Sequence, residues 1–135
     1  MIVVFDGSTF VSAVLKADSI PERALFRALT EPSRLILSQE VESEYREVIF
    51  RPKFDRFVSV GRRQPILDTV VVAAERVEPS ETVLECRDPK DDKYLALAAA
   101  GNADVIVSSD GHHLLPMHPW RGISILSPTD YLALP

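Results

Sequence analysis

Carboxylates carry the strongest chemical promise in this sequence, and two of them stand at the ends of apolar runs. Asp6 directly follows Ile2-Val-Val-Phe5, a short β-branched run without alternation, which suits a strand buried on both faces. Asp110 follows a second such run, Asp104 to Ser108. In a parallel sheet, ligands sit beyond the C-terminal ends of the strands, so both acids are expected at that edge. Asp104 precedes its strand and belongs at the opposite edge. Either acid alone also makes an ordinary turn or helix N-cap; two at equivalent strand ends point to a site.

A third group is Arg87-Asp88-Pro-Lys-Asp-Asp92, leading into Lys93-Tyr-Leu-Ala-Leu-Ala98. Asp88 before Pro89 reads as an N-cap, and Asp91 falls three residues later, so both have a structural reason. Asp92 is in line with Leu95, Ala96 and Ala99, at the mouth of an apolar helix face. A carboxylate there is costly unless something pairs with it, so Asp92 is read as functional. The helix after Ser38 offers Glu40, Glu42, Glu44 and Glu47 beside the stripe Val41, Tyr45, Val48 and Ile49. Glu44 flanks that stripe on one side and Glu42 on the other, and periodicity does not choose between them.

Carboxylates gathered in one cleft repel each other, so the site must take up protons or bind cations. Their oxygens are hard ligands suited to Mg²⁺ or Mn²⁺. Bound divalent ions would turn a phosphate-repelling cleft into a phosphate-attracting one. A metal-held water could then attack phosphorus, with a second ion neutralising the departing oxygen. No side-chain nucleophile is evident, since the lone Cys86 has no base near it in sequence.

These acids need a scaffold that brings them together. Strands are expected at Ile2–Phe5, Arg34–Leu37, 104–108 and 122–126, with a short one at Arg76. Helices are expected from Thr9, from Glu22 to Leu29 behind Pro21, from Gln39 to about Phe50, from Pro65 to Glu75 and from Asp92 to Ala100. A shorter helical piece is expected near Phe54 to Val60, and a last turn after Ser127-Pro128. The alternation implies an α/β fold with three layers, helices covering both faces of a central, mostly parallel sheet. At 135 residues the chain is expected to form a single domain over 1–135.

The order of these features is similar to the PIN-domain nucleases. The stretches that carry the resemblance are Leu37-Ser-Gln-Glu-Val-Glu-Ser-Glu44-Tyr-Arg-Glu-Val48, Arg51-Pro-Lys-Phe54, Cys86-Arg-Asp-Pro-Lys-Asp-Asp92-Lys-Tyr-Leu-Ala96, Ser108-Ser-Asp110 and Ile125-Leu-Ser-Pro128. They span nearly the whole chain and look closest to the VapC-like branch, the toxins of bacterial toxin–antitoxin systems. The resemblance implies a PIN-like fold and Mg²⁺- or Mn²⁺-dependent cleavage of RNA, with Asp6, Glu44, Asp92 and Asp110 as the acidic quartet. It selects Glu44 over Glu42 and adds Asp88 as a secondary metal ligand. Ser8 and Ser108 become supporting groups, Ser108 standing where family members commonly have Thr. Two positions depart from the family pattern. Gly7 replaces a hydroxyl-bearing residue after the first Asp, and His112 stands where another acid often lies, which would either weaken a second metal position or favour Mn²⁺ over Mg²⁺.

Six basic residues against two acids lie between Arg46 and Arg63, interleaved with Phe50, Phe54 and Phe57. Arg51, Lys53, Arg62 and Arg63 are therefore expected to track an RNA backbone, while the phenylalanines serve the core or a homodimer contact. The remaining histidines, in His112-His-Leu-Leu-Pro-Met-His118, match no zinc spacing and read as a solvent-facing loop. Trp120 reads as a half-buried anchor.

The net charge of −5 argues against a generic nucleic-acid coat protein. It is unevenly spread: residues 78 to 92 hold six acids against two bases, while 46 to 63 is net positive by four. That pattern suits a metal site beside a basic arm. A single cysteine, no basic leader and no long apolar run imply a cytoplasmic protein with no membrane segment. The implied partners are an RNA substrate and a cognate antitoxin protein. The alternative is a catalytically degenerate PIN domain acting as an RNA- or protein-binding module. A receiver-like phospho-acceptor would need a Lys after a later strand, and Ser108-Ser-Asp-Gly-His supplies none.

Overall fold

The computed structural model describes residues 1–135. Five strands, β1 (Ile2–Phe5), β2 (Arg34–Leu37), β3 (Glu75–Arg76), β4 (Val105–Val107) and β5 (Ser124–Leu126), form one sheet in the order β3-β2-β1-β4-β5. Every pairing is parallel. Six helices flank it: α1 (Gly7–Leu15), α2 (Ile20–Leu29), α3 (Gln39–Ile49), α4 (Val60–Ala73), α5 (Asp92–Ala100) and α6 (Pro128–Leu132). The three-layer α/β/α reading therefore holds, with a sheet that is parallel throughout.

The central strands are buried on both faces, as their unbroken apolar runs require: Val3, Val4, Phe5, Ile106 and Val107 are wholly inaccessible. The chain leaves β1 towards β2 and β3, then returns across the sheet to β4. Because such crossovers are right-handed, this reversal puts α5 on the face opposite α1 and α2. The point of reversal lies between the C-terminal ends of β1 and β4. Their register, Phe5 opposite Val107, brings Asp6 level with Ser108, and the Asp6 N–H donates to the Val107 carbonyl (3.1 Å). Asp104 lies at the far edge, accepting from the Ile2 N–H (2.7 Å).

Helix starts follow local chemistry. Asp6, Ser19, Ser38 and Ser127 each cap a helix by accepting a backbone N–H three residues on. Two expected boundaries differ. Helix α4 begins at Val60, five residues before Pro65, and carries that proline inside it. Ser59 starts the helix through its carbonyl, which accepts from Arg62 and Arg63, and the proline forfeits only one hydrogen bond. The expected helical piece near Phe54–Val60 is instead a 3₁₀ turn at Pro52–Phe54.

Phe50 and Phe54 pack against the core, but Phe57 stays 61% exposed beside an exposed Val60. Trp120 is more buried than expected, its indole N–H donating to Glu85 (3.1 Å).

Candidate active site

Asp6 serves both the fold and the cleft. Its Oδ1 accepts from the Thr9 N–H (2.9 Å) and the Ser8 hydroxyl (3.2 Å), and its Oδ2 from the Ser108 hydroxyl (2.5 Å). The Ser108 oxygen in turn accepts from the Asp110 N–H (2.9 Å), so one buried hydroxyl locks the acids of β1 and β4 to each other. Thr9 and Ser109 hydroxyls, 3.2 Å apart, add a second tie between the same strand ends. Ser8 and Ser108 thus sit where the sequence suggested.

A cleft of about 700 Å³ opens over this edge, with Asp6, Glu44, Asp88, Asp91 and Asp110 in its walls. Glu44 faces it from α3, 3.5 Å from the Lys93 ammonium. Glu42 points the other way, almost buried between Arg46 and Arg76. The helical wheel placed these two on opposite flanks of one stripe, and packing decides which flank meets the cleft.

The structure does not bring Asp92, expected in the acidic quartet, to the cleft. Its carboxylate, 8% exposed, turns from the cleft and accepts the backbone N–H groups of Glu85 (3.1 Å) and Cys86 (2.7 Å). The buried acid does have the partners its burial demands, but they are backbone donors of the preceding loop. The cleft acid of this group is Asp91. It stands at the N-cap of α5 yet makes no capping hydrogen bond, which leaves its carboxyl free to meet Asp110. Asp88 caps the preceding 3₁₀ turn (Pro89–Asp91) through the Lys90 N–H (3.0 Å) and borders the cleft.

In the histidine loop His112 and His118 are exposed, as expected, whereas His113 turns towards the cleft acids. His113 Nδ1 lies 2.9 Å from Asp110 Oδ2 and 3.9 Å from Asp91 Oδ2. Asp88, Asp91 and His113 each bring one ligand atom into a group spanning less than 4.8 Å. His118 accepts the Ile125 N–H (2.9 Å), while His112 is exposed and only its backbone N–H reaches Asp110 (3.0 Å). Nothing in the spacing of Asp110 and His113 separated this contact from a surface loop; the turn after β4 creates it.

Two of the four expected RNA-binding bases are structural. Arg63 is 1% exposed and donates to the carbonyls of Ile49 (3.3 Å) and Val58 (2.6 Å) and to Asp55 (2.8 Å). Arg62 is taken up by the Val14 carbonyl (2.8 Å) and Glu22 (2.6 Å). Arg51 and Lys53 do line the cleft, joined by Lys90 from the opposite wall. Arg51 also pairs with Glu47 (2.7 Å), an exposed pair that yields readily to a polyanion.

Burial raises the Asp6 carboxyl pKa against the lowering effect of its hydrogen bonds. Burial, and then the adjoining Asp110, pushes Asp91 up to about 7. Asp110 is held below the ordinary range: its burial works upward, but the His112 and His113 N–H groups and the His113 ring outweigh it. Below about pH 7 Asp91 and Asp110 therefore share one proton. A cluster of hard oxygen donors that keeps a proton for lack of positive charge fits a divalent cation.

A pH effect follows for the metal-free protein. Asp91 binds its proton more tightly folded than unfolded, so its contribution to stability is complete below about pH 4 and is lost as pH rises towards about 7. Asp6 is shifted in the same sense. The melting temperature in chelator should fall from pH 5 to pH 7.5, and Asp91→Asn should flatten that slope. A profile unchanged by the substitution would show that Asp91 does not carry it.

Residues 2–112 match the model of the PIN domain family, and the chain belongs to that family. Its fold is similar to the solved structure of VapBC2 from Rickettsia felis bound to a DNA fragment from their promoter. That likeness has a TM-score of 0.62 at 15% identity and covers 93% of this chain and 97% of the other. No curated protein matches the chain. No helix is long and apolar enough to cross a membrane.

Proposed function

We propose that this chain is a Mg²⁺- or Mn²⁺-dependent endoribonuclease, the toxin of a toxin–antitoxin pair. The observation that carries the proposal is the convergence of Asp6, Glu44, Asp91 and Asp110 on one cleft at the reversal point of the sheet. Membership of the PIN domain family supports the nuclease class. Likeness of fold to a protein named VapBC2 supports the toxin role and an antitoxin partner. The exposed Phe57 and Val60 offer apolar surface to such a partner or to a second copy of the chain.

Asp6, Asp91 and Asp110 would hold the cation, with Glu44 and Asp88 at its margin; His113 beside Asp110 makes Mn²⁺ a good occupant. A bound ion supplies Lewis acidity, which neutralises phosphate charge and makes water a competent nucleophile. The protein's own part is placement. Ser108 keeps Asp6 and Asp110 in fixed relation, Asp91 would present its carboxylate to the cation, and Arg51, Lys53 and Lys90 would draw the phosphate backbone across the acids.

The test uses purified protein and labelled single-stranded RNA. Cleavage in Mn²⁺ or Mg²⁺ is expected, abolished by chelator and by Asp6→Asn. Retention of RNA without metal-dependent cutting would instead establish a binding module.

A further inference from the structure

The Tyr94 side chain comes from α5 to fill a notch over Gly7. Its hydroxyl accepts the Gly7 N–H (2.9 Å), and a Cβ placed on residue 7 would lie 2.8 Å from that oxygen and 3.4 Å from the Glu44 Cγ. A side chain at position 7 and the Tyr94 hydroxyl therefore exclude one another. The ring is buried and cannot swing aside cheaply, while the residue itself borders the cleft. A phenol both donates and accepts. The Gly7 N–H uses the accepting side, and no acceptor of the protein lies within hydrogen-bond reach of the O–H.

We infer that Tyr94 is a ligand-binding residue of this cleft, whose O–H donates to a non-bridging oxygen of the bound phosphodiester. The identity of the ligand rests on the nuclease reading; the open donor and its place beside Gly7 do not. Burial, followed by the charges of Asp6 and Glu44, raises the phenol pKa, which keeps it a proton donor throughout the physiological range. Asp6 and Glu44 flank the hydroxyl, and the Lys93 ammonium faces Glu44.

Four proteins test it: wild type, Tyr94→Phe, Gly7→Ser and the double variant. Each is measured for affinity towards a short single-stranded RNA with cleavage-resistant linkages in Mn²⁺, for cleavage of the unmodified RNA, and for melting temperature. Tyr94→Phe keeps the ring but leaves the buried Gly7 N–H without its acceptor, so it should melt a few degrees lower, while the folded protein binds about tenfold more weakly, as for loss of a hydrogen bond to a charged group. Gly7→Ser should also weaken binding, because its Cβ meets the phenol oxygen. The double variant should recover much of the lost affinity, since the space is free and the introduced serine would restore a hydroxyl. A purely structural tyrosine predicts relief of the Gly7→Ser clash in the double variant too, but no loss of affinity in folded Tyr94→Phe and so no affinity for the double variant to regain above it.

Equal binding and cleavage by wild type and Tyr94→Phe, or a double variant no better than Tyr94→Phe, would overturn the inference and leave the nuclease reading standing. The expected binding pattern without cleavage by wild type would do the reverse. Failure of wild type to bind RNA at all would remove both.

Discussion

Asp91→Asn should abolish most metal-dependent cleavage while leaving the protein folded. Asp92→Asn, one residue away, should leave cleavage near the wild-type level. Asp91 directs its carboxyl to Asp110 and the cleft, where the proposed cation site lies. Replacing it removes an anionic ligand from the cation site. If that ligand accounts for several kcal/mol of transition-state stabilisation, the loss is about 10²–10³-fold in kcat/KM.

Asp92 works differently. Its Oδ1 accepts two backbone N–H groups, and an asparagine oxygen still accepts them. Asp92→Ala removes the acceptor, leaving both donors unsatisfied in a largely buried position, and should destabilise the fold by about 2–4 kcal/mol. Steady-state kinetics beside thermal melts would separate the two acids. Full activity in Asp91→Asn with none in folded Asp92→Asn would reverse the assignment.

Arg63→Ala should be the most destabilising change among the basic residues, and it should do so without an effect on RNA affinity of the folded fraction. The guanidinium closes the carbonyl ends of Ile49 and Val58 and joins the α3–α4 connection to Asp55. Truncation strands two buried carbonyls and opens a cavity, costing about 2–4 kcal/mol. In a chain of this size that amounts to roughly 10 °C in melting temperature. Lys53→Ala, in contrast, should scarcely move the melt but should weaken RNA binding and reduce its salt dependence. A normal melt with weakened RNA binding in Arg63→Ala would restore Arg63 to the RNA-contacting set.

The acids at strand ends were legible because a β-branched run and the residue after it state both the element and its exit point. Asp6 and Asp110 needed only the rule that parallel strands present their C-terminal ends together. The helix of Ser38 was equally plain, from a cap and a 3.6-residue stripe. Buried charge was harder to read. For Asp92, periodicity announces that a charged group enters an apolar region, and physics then demands a partner; for Arg63, read as a surface base, nothing announced its burial. Periodicity does not name the partner. In Asp92 the partner was backbone N–H, and in Arg63 backbone C=O, neither of which has a signature in side-chain types.

The chain's order of runs and caps was thus enough for a parallel α/β sheet with acids on one edge and for the uneven charge that sets a basic arm against an acidic loop. Tertiary packing decided the rest. It turned Asp91 rather than Asp92, and Glu44 rather than Glu42, towards the cleft, brought His113 to Asp110, buried Arg63 and paired Arg62 with Glu22, and seated Tyr94 over Gly7. The physical reason is common to all of these. Periodicity fixes the direction of a side chain within its own element, whereas each of these contacts depends on how two elements or a loop are placed against one another. That placement is set by the burial of the whole core, to which residues far from the site contribute most.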